Sequence, residues 1–249
     1  MPRYPSRYSS SSSFSFGPGP VSTALKALIG ANVAVFFAQT FLPLLTDVFG
    51  LRPSFVVHGW LWQLGTYMFL HGGLGHIFFN MLALWMFGAE LERLWGTPYF
   101  LRFYFITGIG AGLLTVLFSL LPFDASHQIH QSNVIGASGA IYGLLLAYGL
   151  YFPDRPIYIY MVFPIPAKYL VILVGAIAFY STVSGSGGGV ANATHLGGLL
   201  VAYFLIKGTR VHPLAEVKYR YMKWKINRAR KKFDVYSGGR ANDWDRRVH

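Results

Sequence analysis

The chain has 249 residues, 53% hydrophobic and only 12% charged, with a mean hydropathy of +0.42 and a formal net charge of +12. Soluble domains carry about a quarter charged residues, so the composition argues against an ordinary soluble enzyme and for a bilayer as solvent. The absence of cysteine excludes disulfides, thiolate zinc sites and a cysteine nucleophile.

Residues 1–20 are rich in Ser, Pro and aromatic residues, with Arg3 and Arg7, and read as a disordered cytoplasmic arm. No short apolar stretch there ends in a small-residue cleavage site, so a removable signal peptide is not expected. A membrane-crossing helix needs about 20 mostly apolar residues. The first candidate is 21–45. Residues 46–74, with Trp60, Trp62, His58 and several glycines, are too interrupted to span and are expected to lie partly in the interface, where Trp is favoured. Further spans are expected at 75–94 and 99–121. A polar loop with Asp124, His127 and His130 follows, then spans at 135–152 and 167–183. Residues 184–189 are only Gly and Ser and hold a helix poorly. The last span is expected at 191–207.

Six spans put both termini on one side. Arg3, Arg7, Arg93, Arg102, Arg155 and Lys168 then share the side of the tail, and only Arg52 falls on the other. The positive-inside rule makes the shared side cytoplasmic. The tail from residue 207 on carries thirteen Lys and Arg against four acids. A basic tail after a last span acts as a retention signal, a reading preferred here over nucleic-acid binding. The run from Lys218 to Lys232 reads as a basic helix on the inner membrane surface. The expected organisation is an arm (1–20), a six-helix membrane domain (21–207) and a basic cytoplasmic tail (208–249).

Polar groups inside a bilayer are costly and usually functional. Four stand out: His76, Asn80, Ser138 and His195. Ser138 lies in Gly136-Ala137-Ser138-Gly139 at the expected outer end of the fourth span. Free N–H groups at a helix start can hold an oxyanion. Taken alone, however, such a motif more often serves helix packing. His195 lies near the outer start of the last span. It can act as the base that a serine hydroxyl needs, or simply be a capped interfacial histidine. His76 and Asn80 are four apart on one helix face, and both can donate hydrogen bonds to a developing oxyanion. Three helices thus bring a nucleophile, a base and two donors to one depth. No acid is expected on the outer half of any span. Gly139, Gly143 and Ala147 on the fourth span, and Gly198 and Ala202 on the sixth, form small faces that let helices approach. Tyr142, one turn below Ser138, can lie against the imidazole or serve the core.

In motif order the chain resembles the rhomboid intramembrane proteases over residues 21–207. The resemblance rests on Trp62-Gln63, His71, His76-x-x-x-Asn80, Glu92-Arg93-x-x-Gly96 and Gly108-x-Gly110-Ala111-Gly112. Gly136-x-Ser138-Gly139-x-x-Tyr142 and Ala193-x-His195-x-x-Gly198-x-x-x-Ala202 complete it. It implies an all-α fold, a six-transmembrane-helix bundle with a half-immersed outer hairpin at 46–74. It also implies a Ser138–His195 dyad without cofactor or metal, oxyanion donors at His76, Asn80 and the Ser138 N–H, and supporting roles for Gly136, Gly139, Tyr142 and Gly198. Transmembrane protein substrates, cut near the outer face, would be the partners. Residues 184–189 would belong to a flexible cap, and Glu92 would tie a helix end to the next turn. Two positions depart from the pattern: Gln63 stands where many members have Arg, and Ala202 where Gly often occurs. His71 is expected to be a structural hydrogen bonder, and His127 and His130 solvated loop residues. Glu90 and Glu92 lie too far inward for acid/base work at Ser138. A bacterial plasma membrane is the expected location, and the oligomeric state is left open. A client-binding relative without activity would lack Ser or His, a transporter would show two related halves, and a scaffold has no positive support.

Overall fold

The computed structural model describes residues 19–122, 124–159, 163–184 and 189–210, together with Lys223 and Arg228. The chain divides into two units, Met1–Ile206 and Lys207–His249; the fold below concerns the first. Most of the arm, residues 185–188 of the Gly/Ser segment and nearly all of the basic tail lie outside the described residues.

Helix α1 covers Thr23–Phe41. Its start is set by Ser22, whose hydroxyl accepts from the Leu25 N–H at 3.0 Å. Its end is set by Pro43, which disfavours helical geometry at the residue before it; Leu42 sits at φ −129°. The expected span to residue 45 is therefore cut short. The chain then runs through three short helices, α2 (Leu44–Phe49), α3 (Pro53–Val56) and α4 (Gln63–Thr66), and a 3-10 turn at Tyr67–Phe69. Gln63 is fully buried. It accepts from the Arg52 N–H at 3.1 Å and donates to the Val48 carbonyl at 3.2 Å, so an uncharged amide anchors this segment through backbone groups.

Helices α5 (Leu74–Trp95) and α6 (Thr97–Ser119) follow, joined at Gly96, whose φ of +78° makes the sharp reversal. Glu92, buried at this corner, accepts from the Thr97 hydroxyl and from the Ser22 hydroxyl, each at 2.6 Å. One carboxylate thus joins the start of α1, the end of α5 and the start of α6, a wider role than tying α5 to its own turn. The expected polar loop contains a helix, α7 (Asp124–Gln131), with Ser126 and Ile129 buried on one face. His130 is held within it, its Nδ1 3.2 Å from the Ser119 hydroxyl.

Helix α8 (Ser138–Tyr151) begins three residues later than expected, because Val134 pairs with Leu51 in an isolated bridge and Gly136 turns the chain. After α8 the expected simple turn is an antiparallel ribbon, β1 (Pro156–Ile159) with β2 (Phe163–Pro166), in register Ile157 opposite Ile165. Its β-branched and aromatic residues suit a pleated surface. Among the described residues it is the one departure from helices and loops. Helices α9 (Ala167–Ser184) and α10 (Gly189–Arg210) close the fold. Among the described residues, α1, α5, α6 and α9 are long and apolar enough to cross a membrane, and α8 is a shorter apolar helix.

Nine of the fourteen residues of α8 are buried, five of them Gly or Ala, at 139, 140, 143, 147 and 149. Small residues at these places are required. A Cβ on Gly143 would run into the Thr107 methyl of α6, and one on Gly198 of α10 into the Gly139 carbonyl oxygen. The two obstacles differ, since a side chain can be trimmed and a carbonyl cannot. Gly143→Ala is expected to cost about 1–3 kcal/mol of stability, the range for overpacking, and adding Thr107→Ser should recover most of it. Gly198→Ala is expected to cost at least as much and to resist rescue by any neighbouring side-chain trim. Unfolding in mixed detergent micelles measures these three variants against wild type.

Candidate active site

The site forms where the chain enters α8. The Gly136 N–H donates to the Tyr67 carbonyl at 2.9 Å, and the Tyr67 hydroxyl donates to the Gly108 carbonyl of α6 at 2.7 Å. Gly136 itself has φ +124°, a region that side chains rarely tolerate. Space forbids a side chain there as well: a Cβ would stand 2.8 Å from His76 Nε2. This turn delivers Ser138 as the first residue of α8. The N–H groups of Ser138, Gly139 and Ala140 therefore have no acceptor within the helix, and the helix dipole favours negative charge there.

Across the gap, α10 places His195 with Nε2 2.8 Å from Ser138 Oγ. The hydroxyl has a proton to give and the imidazole nitrogen can take it, so the neutral pair is Ser138 O–H donating to Nε2, with the other ring proton on Nδ1. Nδ1 is buried and has no hydrogen-bond partner among the described residues. The ring lies flat on Tyr142, with centroids 4.0 Å apart and planes 7° from parallel. A carboxylate commonly holds a catalytic histidine from its far side; here the face of a tyrosine sets the plane of the ring.

His76 and Asn80 come from α5. His76 Nδ1 accepts from the Gly72 N–H at 3.2 Å, which places the proton of the neutral ring on Nε2, the atom beside the Gly136 turn. The Asn80 amide nitrogen donates to the His76 carbonyl at 2.8 Å. Its orientation is forced, because only the nitrogen end can meet a carbonyl oxygen, and among the described residues one of its two N–H groups stays unspent. A cavity of about 400 Å³ is lined by His76, Asn80, Ser138, Tyr142 and His195 among apolar side chains such as Phe79, Ile135 and Ile141. Among the described residues no carboxylate lines it. All four polar residues singled out in the sequence, with Tyr142, thus share one cavity. Gly139 and Gly198 lie behind it at the α8–α10 contact.

Residues given bland roles lie outside the cavity lining. His71 is buried, its N–H donating to Gln39 at 2.9 Å and its ring edge-on to His76 at 5.1 Å. Burial, and secondarily the neighbouring His76, hold its pKa down at about 4, so it stays neutral. Glu90 pairs with Arg155. Among the described residues no three His, Cys, Asp or Glu side chains gather as metal ligands would. Sequence reasoning passed over Tyr67, which ties the Gly136 turn to α6. Its neighbours show no helical or strand period, so only the fold reveals it.

Residues 58–210 match the rhomboid domain. The chain is 33% identical over 159 residues to rhomboid protease GluP of Bacillus subtilis, a match covering 63% of this chain and 28% of that protein. It is 30% identical over 215 residues to rhomboid protease AarA of Providencia stuartii, covering 77% and 75%. It is also 30% identical over 193 residues to rhomboid protein 1, mitochondrial, of Saccharomyces cerevisiae, covering 70% and 50%. The match therefore spans half or less of two of these relatives and three quarters of AarA. With its apolar helices and its domain match, the chain is an integral membrane protein that belongs to the rhomboid family.

Proposed function

We propose that the chain is an intramembrane serine endopeptidase that hydrolyses peptide bonds in or near transmembrane segments through a Ser138–His195 dyad. The observation that carries this reading is the 2.8 Å contact between Ser138 Oγ and His195 Nε2 beside a cavity that also holds His76 and Asn80. Ser138 Oγ attacks the scissile carbonyl carbon while His195 Nε2 takes its proton. The resulting oxyanion meets the Ser138 N–H, the His76 Nε2–H and the free Asn80 N–H. Collapse breaks the C–N bond, His195 returns the proton to the leaving amine, and an ester remains on Ser138. Water, deprotonated by His195, then attacks the ester, and the acid is released as His195 returns the proton to Ser138 Oγ. No cofactor is needed.

The bilayer enters through helix length. Six spans, α1, α5, α6, α8, α9 and α10, suit the family and the loop charges, with both termini cytoplasmic and α2 to α4 as the half-immersed outer hairpin. Fourteen residues make α8 about 21 Å long, against a hydrocarbon core of about 30 Å. With Tyr151 at the inner boundary, Ser138 lies about 9 Å below the outer one. An extended substrate segment must reach it there, which suits single-span proteins cut near the outer face. Residues 1–20 and 208–249 flank the membrane domain as arm and tail, and a bacterial plasma membrane is the proposed location.

Ser138→Ala and His195→Ala are each expected to abolish both cleavage of a single-span substrate in proteoliposomes and labelling by a fluorescent fluorophosphonate, with folding intact. Wild-type cleavage by either variant would end the dyad assignment. Asn80→Ala is expected to lower kcat by about 10²–10³, the effect of one lost oxyanion donor, and still to exceed Ser138→Ala. Tyr142→Phe should stay within about three-fold of wild type, since the ring face is what supports His195, while Tyr142→Ala should fall by at least about ten-fold. Equal rates for the two Tyr142 variants would show that the stack does not matter.

A further inference from the structure

The dyad depends on the rotation of α10 about its own axis. The glycine contact between α8 and α10 sets how near the two helices lie, but small apolar faces are smooth and permit rotation and sliding. His195 Nδ1 has no partner among the described residues to hold the ring from behind. Side chains stand about 5–6 Å from a helix axis, so a rotation of about 10° moves the imidazole by about 1 Å. A misplacement of that size can cost about 10²-fold in rate.

The residue next to His195 supplies a fixed point. Thr194 is 1% exposed, and its hydroxyl lies 2.9 Å from that of Thr115 on α6, also 1% exposed. Thr115 in turn donates to the Ala111 carbonyl of its own helix at 2.9 Å. The Thr194 methyl faces Gly139, the neighbour of Ser138, 3.1 Å from where a Cβ would stand. Thr194 therefore occupies the junction of α6, α8 and α10, with its methyl against one helix and its hydroxyl on another. Successive residues of a helix point about 100° apart, so holding Thr194 in that junction directs His195 toward Ser138. A hydrogen bond between two buried hydroxyls is directional and resists the rotation that apolar packing allows.

We propose that Thr115 and Thr194 are a pair of positioning residues, whose hydroxyl bridge sets the rotation of α10 and with it the aim of His195 at Ser138. This rests on the dyad reading above. Neither residue touches substrate. The pair takes over part of the orienting task that an acid performs in a three-residue site.

Valine replaces threonine with nearly the same shape and no hydroxyl. Thr115→Val, Thr194→Val, the double variant and Thr194→Ser are compared with wild type. The readouts are the fluorophosphonate labelling rate, kcat and KM on an internally quenched peptide with small central residues, and the melting temperature in detergent. Each valine variant is expected to lose about 10- to 100-fold in labelling rate and kcat, with KM within about two-fold. The double variant should be no slower than the slower single, because one bridge is lost either way, and Thr194→Ser should label within about three-fold of wild type. Valine variants at the wild-type rate overturn the proposal, as do additive losses in the double, or losses that follow the melting temperature and vanish on cooling. A wild type that neither labels nor cleaves overturns the dyad reading itself and this pair with it; a wild type that labels while the valine variants match it overturns the pair alone.

Discussion

The backbone-to-backbone approach of α8 and α10 is the constraint on which the rest depends. Gly198 lies so close to the Gly139 carbonyl that no Cβ fits between them. Without a hydrophobic drive between helices in lipid, association rests on packing and on the few hydrogen bonds available, and only glycine allows this separation. A reach of 2.8 Å between Ser138 and His195 is possible only at that helix separation. The same economy of side chain recurs at Gly143 against Thr107 and at Gly197 against the Ala111 carbonyl, 3.0 Å from where a Cβ would stand. The central helix is therefore held on two sides by atoms that leave no slack.

The second constraint is that polar groups in hydrocarbon need partners of their own kind. Most of those buried here have one. Glu92 takes two hydroxyls, and Gln63 bridges two backbone groups. The polar groups around Ser138 depart from this rule in a directed way. His76 spends Nδ1 on Gly72, and Asn80 spends one N–H on the His76 carbonyl, which among the described residues leaves one donor on each beside the cavity. Donors that are held in place but not used up meet new negative charge without reorganising, and this is what makes such groups effective in catalysis.

Much of this was legible in the chain, for reasons that differ by residue. Long apolar runs mark α1, α5, α6 and α9 because length and hydropathy need no tertiary context. His76, Asn80, Ser138 and His195 stand out because polar residues in apolar runs carry a cost that must have a reason. The small faces on α8 and α10 read directly as close approach. What was hidden depends on partners distant in sequence. The late start of α8 comes from Leu51 bridging Val134. The Tyr67 anchor and the Thr115–Thr194 contact join residues 41 and 79 apart, and neither leaves a periodic trace. The ribbon at Pro156–Pro166 was hidden for another reason: a short connection between two spans reads as a plain turn, and its strand pairing appears only once the chain folds back on itself.

Burying hydrolysis in a membrane sets two demands that pull apart: the substrate arrives through hydrocarbon, while the second half of the reaction consumes water. A full-length α8 would carry Ser138 up to the outer boundary, where water is plentiful but a transmembrane segment no longer reaches. A serine at the midplane would invert the problem. On the proposed reading, the late start of α8 at Ser138 answers both demands. Residues 133–137 stay extended or turned, tied by Val134 to Leu51 and by Gly136 to Tyr67. Irregular backbone at that depth is tolerable only where protein or water covers it, and here the outer segment and the cavity do so. The interruption that lowers Ser138 also frees the N–H groups that begin α8. On that reading, depth, access to water and oxyanion binding all follow from one break in one helix.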